Sequence, residues 1–495
     1  MKLAIMLLAM ASVLLCQEDL AQLYSEAKQS QAAGDLAAAG RKYEAIVRLR
    51  PQMAEAYANL GNLYYEQGQT ERAKTTYEKA ARIKPDLAGP QFFLGVIAFT
   101  GHDYLSAARY LRRAEELEPS NSLVHGYLGY TQFARSVFQE AADELEKALA
   151  VDSSDIDVLY HLSKSYGNLA KELSGQLQSR FPNSPYTNLA RAHYFETAQD
   201  WKGTSEQYRL ALEKMPDSAR LREKSQWAAS KAADAGTKAE AGAADGIDEL
   251  MDGSLAYRDA APSGSKLREE LALWRTRVHA LPRHDADDKQ VYLAGEGYRA
   301  LSYLASLAVF ESDPDSYRAH QLRAQMLESS NKDEDAIAEY RSVLKRKPEL
   351  QNIHFAIGSL FWKDQHFDLA RAELQQELRI NPNHPEALYE LGDIASSSED
   401  ARQAEKYLLA ALKLEPKMVE AHYALEKIYT EKGLYEKSLE HLKAALRTDS
   451  SDPKAHYRLS AVYRKLGRTQ DAEKELALFK QSQTTGNQMG ASIVK

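Results

Sequence analysis

Cysteine is almost absent from this chain of 495 residues, and the only one, Cys16, cannot form an intramolecular disulfide. Runs of β-branched residues are scarce, whereas helix-forming residues occur throughout. No basic tract is present and the net charge is −8, which argues against nucleic acid as the main partner. With 44% hydrophobic and 27% charged residues, the composition indicates a folded, soluble, helical protein.

Long apolar runs are also lacking, except at the N-terminus, where an apolar run, 3–15, lies between Lys2 and the polar sequence that begins at Gln17. This run is too short to span a bilayer core of about 30 Å. The order of charge, apolar core and polar flank is that of a secretory signal. We therefore expect residues 1–16 to be a signal peptide. The mature chain would be exported, to the periplasm or envelope rather than the medium, without a membrane span.

Cys16 lies where the apolar run ends, which is where a bacterial lipoprotein signal places its acylated cysteine. A departure from that pattern is Leu15, since such signals carry a small residue just before the cysteine. Two outcomes therefore stay open, a lipid anchor on Cys16 and ordinary cleavage without a lipid.

A period of about 34 residues runs through most of the chain. Within residues 56–85, apolar or small residues recur at the spacings of a helix face. Gly68 lies between the two halves and Pro85 ends the row, at the places where helices must stop. One row therefore predicts two antiparallel helices, and rows must stack because a single hairpin cannot bury its apolar face. The rows begin at Leu20, Ala54, Ala88 and Ser122, and again at Tyr317, Gln351, Pro385, Val419 and Pro453.

The spacing within these rows resembles the tetratricopeptide repeat family, of a bacterial exported type. In the second row the motif is carried by Tyr57, Leu60, Gly61, Tyr64, Gly68, Ala73, Tyr77, Ala80 and Pro85. The resemblance implies an all-α superhelical solenoid. It also implies a non-catalytic scaffold that binds a peptide or protein segment in a concave groove lined by the first helices of the rows. No GxSxG, P-loop or HExxH motif occurs, so we expect no enzyme activity, no cofactor and no metal site.

The period breaks in the middle of the chain. A short hairpin that ends at Pro182 and a full one after it recur further along the chain, so that Tyr166 matches Tyr298 and Pro182 matches Pro314. These matches, which share one offset, predict an internal duplication. The predicted organisation is a signal peptide (1–16), an N-terminal repeat block (20–216), an irregular helical linker (217–290), a C-terminal repeat block (291–482) and a disordered tail (483–495).

The resemblance implies that positions 2, 5, 6, 9, 12 and 13 of a row face the groove. At these positions the N-terminal block carries Tyr65, Phe92, Phe93, Phe99, Tyr127, Tyr130 and Phe133. The C-terminal block carries Phe355, Tyr389, Tyr423 and Tyr457. Exposed aromatic patches indicate a partner, so these are the candidate peptide-binding residues. Alternatively, the rings are packed architecture. An alternative function is an accessory factor for a secretion or polysaccharide machinery, held at a membrane by Cys16.

Histidine recurs at the fourth position of five rows, as His125, His320, His354, His422 and His456. This position holds a bulky wedge, Tyr57, in the second row. One hypothesis is that protonation below about pH 6.5 loosens the stack at these five residues.

Overall fold

The computed structural model describes residues 20–233, 263–281 and 286–493, and within them every regular element is an α-helix. The predicted all-α class is confirmed. Residues 1–16, with Cys16, lie outside the described residues. The helices within residues 20–233 are α1 (20–32), α2 (Leu36–Leu49), α3 (Ala54–Glu66), α4 (Thr70–Ile83), α5 (Ala88–Thr100), α6 (Tyr104–Leu117), α7 (Ser122–Ala134), α8 (Phe138–Leu149), α9 (Ile156–Arg180), α10 (Pro185–Thr197), α11 (Trp201–Lys214) and α12 (Ala219–Ala233). The remainder are α13 (Gly264–His279), α14 (Asp288–Ser312), α15 (Tyr317–Ser329), α16 (Asp333–Arg346), α17 (Ile353–Lys363), α18 (Phe367–Ile380), α19 (Pro385–Ser397), α20 (Ala401–Leu414), α21 (Val419–Glu431), α22 (Tyr435–Thr448), α23 (Pro453–Lys465) and α24 (Thr469–Ile493).

Each row forms an antiparallel hairpin, as the periodicity predicts. The turn of the second row depends on Gly68, whose φ of +71° is a left-handed conformation that glycine adopts without strain. Its N–H donates to the Tyr65 carbonyl, and the Gln69 N–H donates to the Tyr64 carbonyl, which closes the end of α3. Side chains start other helices, since Asn121 accepts hydrogen bonds from the first amides of α7.

Small residues at the eighth position let the two helices of a hairpin approach closely. A Cβ built on Gly129 would lie 2.5 Å from Leu145 Cγ, and one on Gly95 would lie 2.5 Å from Leu111 Cγ. Neighbouring hairpins then stack so that α3, α5, α7 and α9 contact one another in turn, as do α17, α19 and α21. We call the surface that these first helices form the first-helix face.

The duplication inferred from the matched residues is present in the helix bounds. Ile156–Arg180 and Asp288–Ser312 are equivalent helices of 25 residues each. The predicted short hairpins at these places are therefore wrong, because each segment is one continuous helix with no proline inside it. The two helices pack against each other, and Tyr166 stacks on its equivalent Tyr298 with ring centroids 5.8 Å apart. Contact between equivalent residues is the mark of a two-fold arrangement.

The described residues divide into two compact units, one that ends at Pro314 and one that begins at Asp315. The predicted domain boundaries stay a prediction. The sequence analysis assigns residues 291–314 to the C-terminal block. In the structure these residues belong to the first unit, and most of them form α14, which packs on α9. The last helix extends to Ile493, into the tail expected to be disordered.

The five fourth-position histidines share a contact that the sequence did not reveal. In four rows the Nδ1 atom faces a glutamate in the second helix of the same hairpin, and the pairs are His125–Glu144 (2.7 Å), His320–Glu339 (2.6 Å), His354–Glu373 (2.6 Å) and His456–Glu475 (2.6 Å). In the remaining row His422 faces His441 instead, with 2.9 Å between the Nδ1 atoms. A protonated ring gains an ion pair in the first four cases. Protonation of those four histidines is therefore not expected to loosen the stack. The hypothesis is kept only for the His422–His441 pair, in which protonation would place two like charges together.

Acid is expected to weaken the second unit through this pair. Burial lowers the pKa of His422, and burial, followed by the charges of His422 and Lys437, lowers the pKa of His441 to about 4. Folded-state pKa values below the unfolded value mean that the stability is fully present above about pH 6.5 and is lost as the pH falls towards 4. Allowing for the partial exposure of the pair, we expect a loss of about 1 kcal/mol at pH 5.

The matched variant is His441→Glu, which creates the contact found in the other four rows. Urea unfolding of the two proteins at pH 7.5 and pH 5 isolates the pair, because all other titrating groups cancel in the difference. We expect the variant to lose less stability than the parent between these pH values. Equal losses would show that the pair does not respond to acid.

Candidate functional site

The seven N-terminal candidates lie together on the first-helix face of the first unit, on α3, α5 and α7. We call them the aromatic ladder: Tyr65, Phe92, Phe93, Phe99, Tyr127, Tyr130 and Phe133. Ring contacts connect six of them in an unbroken series, with centroid separations of 5.5 Å for Tyr65–Phe93, 5.3 Å for Phe92–Phe93, 5.6 Å for Phe92–Tyr127, 5.9 Å for Phe99–Tyr127 and 5.8 Å for Tyr127–Tyr130. Four of these five contacts are edge-to-face, a geometry that aromatic pairs prefer, and the Tyr65–Phe93 contact is tilted.

A histidine that the sequence analysis did not select joins the last ring to the series. The His161 ring lies 4.5 Å from Tyr130 and 5.7 Å from Phe133, and its Nδ1 atom lies 2.8 Å from the Asp157 carbonyl. That contact holds the ring against the ladder. His161 occupies the sixth position of α9, so the groove positions would have found it if histidine had been counted among the aromatic residues.

The second layer of the repeat supports the ladder from behind. Phe93 stacks on Tyr77 of α4 with a centroid distance of 5.2 Å and parallel rings, and Phe133 contacts Phe138 of α8 at 5.6 Å. All seven rings are partly buried, and each keeps some surface exposed. Burial raises the pKa of the Tyr127 hydroxyl, so this group is protonated and can donate a hydrogen bond at neutral pH. The ladder is therefore both packed and accessible.

The four C-terminal candidates do not form an equivalent series. Phe355 packs on the His384 ring at 4.4 Å, and Tyr389 lies 6.4 Å from Trp362. Tyr423 is only 9% exposed, and its hydroxyl donates to Asp452. Tyr457 is 56% exposed and contacts Phe479 of α24. In the described part of the chain, no ring contact joins two of these four residues, so the structure does not bring them together.

Two other features of the first unit lie apart from the aromatic ladder. A cleft of about 500 Å³ lies between α4, α5 and α6, and it contains none of the predicted aromatic residues. A cluster of Glu115, His125 and Glu144 has the spacing of metal ligands. The Lys147 ammonium already lies 3.0 Å from Glu115 and 2.9 Å from Glu144 within it, so the cluster has its own cation. Among the described helices, none is long and apolar enough to cross a membrane.

Sequence comparisons agree with the repeat pattern. Profiles described as tetratricopeptide repeat match residues 30–91, 94–156, 355–396 and 385–418, and one described as TPR repeat matches residues 427–467. The first two ranges cover almost all of the helices that carry the aromatic ladder. No match is found among curated proteins.

Several solved structures resemble between about a third and most of the chain, at low sequence identity. MamA from Desulfovibrio magneticus RS-1 is 18% identical, over 34% of this chain and 97% of that one, with a TM-score of 0.33. YrrB, described as a TPR protein with an unusual peptide-binding site, is 20% identical over 36% of this chain and 92% of its own, with a TM-score of 0.32. A chain of the Cut9–Hcn1 complex is 15% identical over 93% of this chain and 93% of its own, with a TM-score of 0.33. These values are too low to carry an argument about function.

Proposed function

Because the chain belongs to the tetratricopeptide repeat family, we propose that it is a protein-interaction scaffold whose first unit binds a peptide segment on the aromatic ladder. Stacked helical repeats present extended binding surfaces, which supports the scaffold role. The observation that supports this particular surface is the unbroken series of partly exposed rings on three consecutive first helices.

The chemistry of the ladder favours apolar and aromatic side chains of a peptide. Tyrosine and phenylalanine rings supply a large contact area at a small cost in side-chain entropy, and such rings dominate the energy of many interfaces. The neighbouring groove positions on α3 and α5 hold the uncharged Asn59, Asn62, Val96 and Thr100, together with Glu55, which pairs with Lys84, and Glu66, which is exposed. An extended segment could therefore lie across these helices without burying an unpaired charge.

The experiment is a selection from a random peptide library on the immobilised full chain, followed by affinity measurements on the selected peptides. Tyr127→Ala is expected to weaken their binding about tenfold, the effect typical of a central aromatic contact. The matched control is Tyr457→Ala, an exposed tyrosine of the second unit. The proposal is wrong if Tyr457→Ala weakens binding and Tyr127→Ala does not. Export of the chain and its attachment to the envelope stay predictions from residues 1–16.

A further inference from the structure

A group of carboxylates lies on the first-helix face of the second unit, around the ring of Tyr389. Burial, followed by the charges of Asp393, Glu420 and Glu390, raises the pKa of the Tyr389 hydroxyl to about 12. Three negative groups therefore act on one tyrosine. Two of them, Glu390 and Asp393, lie on α19 with Tyr389, and Glu420 lies in the first turn of the neighbouring first helix, α21.

Glu390 is the most buried of the three, at 6% exposure. The Ser359 hydroxyl, on α17, contacts both of its carboxylate oxygens, at 2.7 and 2.9 Å. Burial raises the pKa of Glu390 to about 7, with smaller contributions of both signs from Ser359, His384, Asp393 and Glu386. Among the described residues, no lysine or arginine forms an ion pair with Glu390, Asp393 or Glu420. A buried carboxylate without a cation is unfavourable, so this position favours the arrival of a positive charge.

Two aromatic rings accompany the carboxylates. The Trp362 Nε1–H donates to Asp393 Oδ2 at 2.9 Å, which fixes both side chains. The Trp362 and Tyr389 rings lie 6.4 Å apart and nearly perpendicular. Aromatic faces attract organic cations, and a guanidinium combines such stacking with paired hydrogen bonds to carboxylates. The combination therefore suits an arginine side chain better than a metal ion.

The next repeat holds a guanidinium beside the equivalent tyrosine, although the carboxylate it pairs with, Glu426, lies at the row position of Gly392 and not of Glu390. There Glu426, at 5% exposure, pairs with Arg458 of α23, whose Nη1 atom lies 2.5 Å from Glu426 Oε2. The same guanidinium lies over the ring of Tyr423, 5.2 Å from its centroid. Tyr423 is the equivalent of Tyr389, one row later. The residue one row before Arg458 is Ala424, so the chain supplies no arginine at the corresponding place beside Tyr389.

We propose that Tyr389, Glu390, Asp393 and Trp362 form a binding site for an arginine side chain of a partner protein. The guanidinium lies beside the Tyr389 ring, as that of Arg458 lies beside Tyr423 in the next repeat, and it pairs with carboxylates at other row positions than Glu426. This site lies in the second unit and does not depend on the aromatic ladder, so either proposal can fail while the other stands.

The test measures binding of two peptides to the full chain by calorimetry. The probe is Gly-Ala-Ala-Arg-Ala-Ala-Gly, and its neutral counterpart carries citrulline in place of arginine. We expect the arginine peptide to bind at least about tenfold more tightly, because the charge-assisted hydrogen bonds are lost with citrulline. Equal binding of the two peptides, or no binding of either, overturns the proposal.

Three variants locate the site. Glu390→Gln is expected to abolish the preference for arginine, and Ala424→Arg should do the same by supplying an internal guanidinium. The control is Asp368→Asn, which removes a carboxylate whose side chain is 97% exposed, and this variant should bind the arginine peptide as the parent does.

Thermal unfolding at pH 8 separates an effect on binding from an effect on folding. Because Glu390→Gln removes a buried charge, this variant should unfold at no lower a temperature than the parent. Unchanged arginine binding by Glu390→Gln contradicts the assignment. Displacement of the peptide by calcium ions would instead identify a metal site and overturn the proposal.

Discussion

Replacing Phe99, Tyr127 and Tyr130 together by alanine is expected to weaken binding of the selected peptides at least about a hundredfold. These three rings contact one another, with centroids 5.9, 6.5 and 5.8 Å apart, and they lie at the middle of the aromatic ladder. Residues at the centre of an interface contribute most because they are fully desolvated when the partner binds. Titration of a labelled peptide into each protein measures the loss.

The rings also pack within the protein, so the alanine variant needs a companion that preserves apolar volume. Replacement of the same three residues by leucine retains most of the packing and removes the aromatic faces. We expect this variant to keep its helical circular dichroism and to bind with intermediate affinity. Full affinity in both variants would mean that the ladder is packed architecture and that the peptide binds elsewhere.

Gly129→Ala is expected to destabilise the first unit by about 1–3 kcal/mol, although alanine is the better helix former. A Cβ at this position would lie 2.5 Å from Leu145 Cγ and 3.3 Å from the Ala141 carbonyl oxygen. The leucine could turn aside, but the backbone oxygen of α8 can move only if the hairpin opens. Urea unfolding followed by circular dichroism measures the change in the free energy of unfolding.

The control for this substitution is Gly175→Ala, inside α9, where nothing lies within 4 Å of the new Cβ. There alanine should stabilise the protein by up to about 1 kcal/mol, because it reduces the freedom of the unfolded chain. Opposite signs at the two glycines would establish that close approach, not helix propensity, selects glycine at the eighth position. Equal effects would refute this explanation.

Much of the fold could be predicted because its information is local and repeated. The period of the rows places Gly68 in a turn, and the structure has it there in a left-handed conformation. The groove positions also select seven aromatic residues that lie in mutual contact or close by on α3, α5 and α7, and their role in binding stays a prediction. Periodicity specifies which face of a helix a residue occupies, and stacking then brings equivalent faces together.

The remaining features depend on pairings between segments that no local pattern specifies. The equivalent helices α9 and α14 pack on each other although, among the described residues, the four helices α10 to α13 lie between them in the chain. Likewise, the sequence marked the histidines but not their glutamate partners, because each pair joins the two helices of a hairpin. The burial of Glu390 could not be predicted from the sequence, because carboxylates on a helix surface are usually solvated.

The most direct test of peptide binding on the ladder is hydrogen–deuterium exchange of the full chain with and without a selected peptide. The peptide is expected to slow exchange in α5 and α7, residues 88–100 and 122–134, and in the α3 helix beside them. The equivalent first helices of the second unit, α19, α21 and α23, should exchange as they do in the free protein. Protection confined to the second unit, with none in α5 and α7, would contradict the proposal.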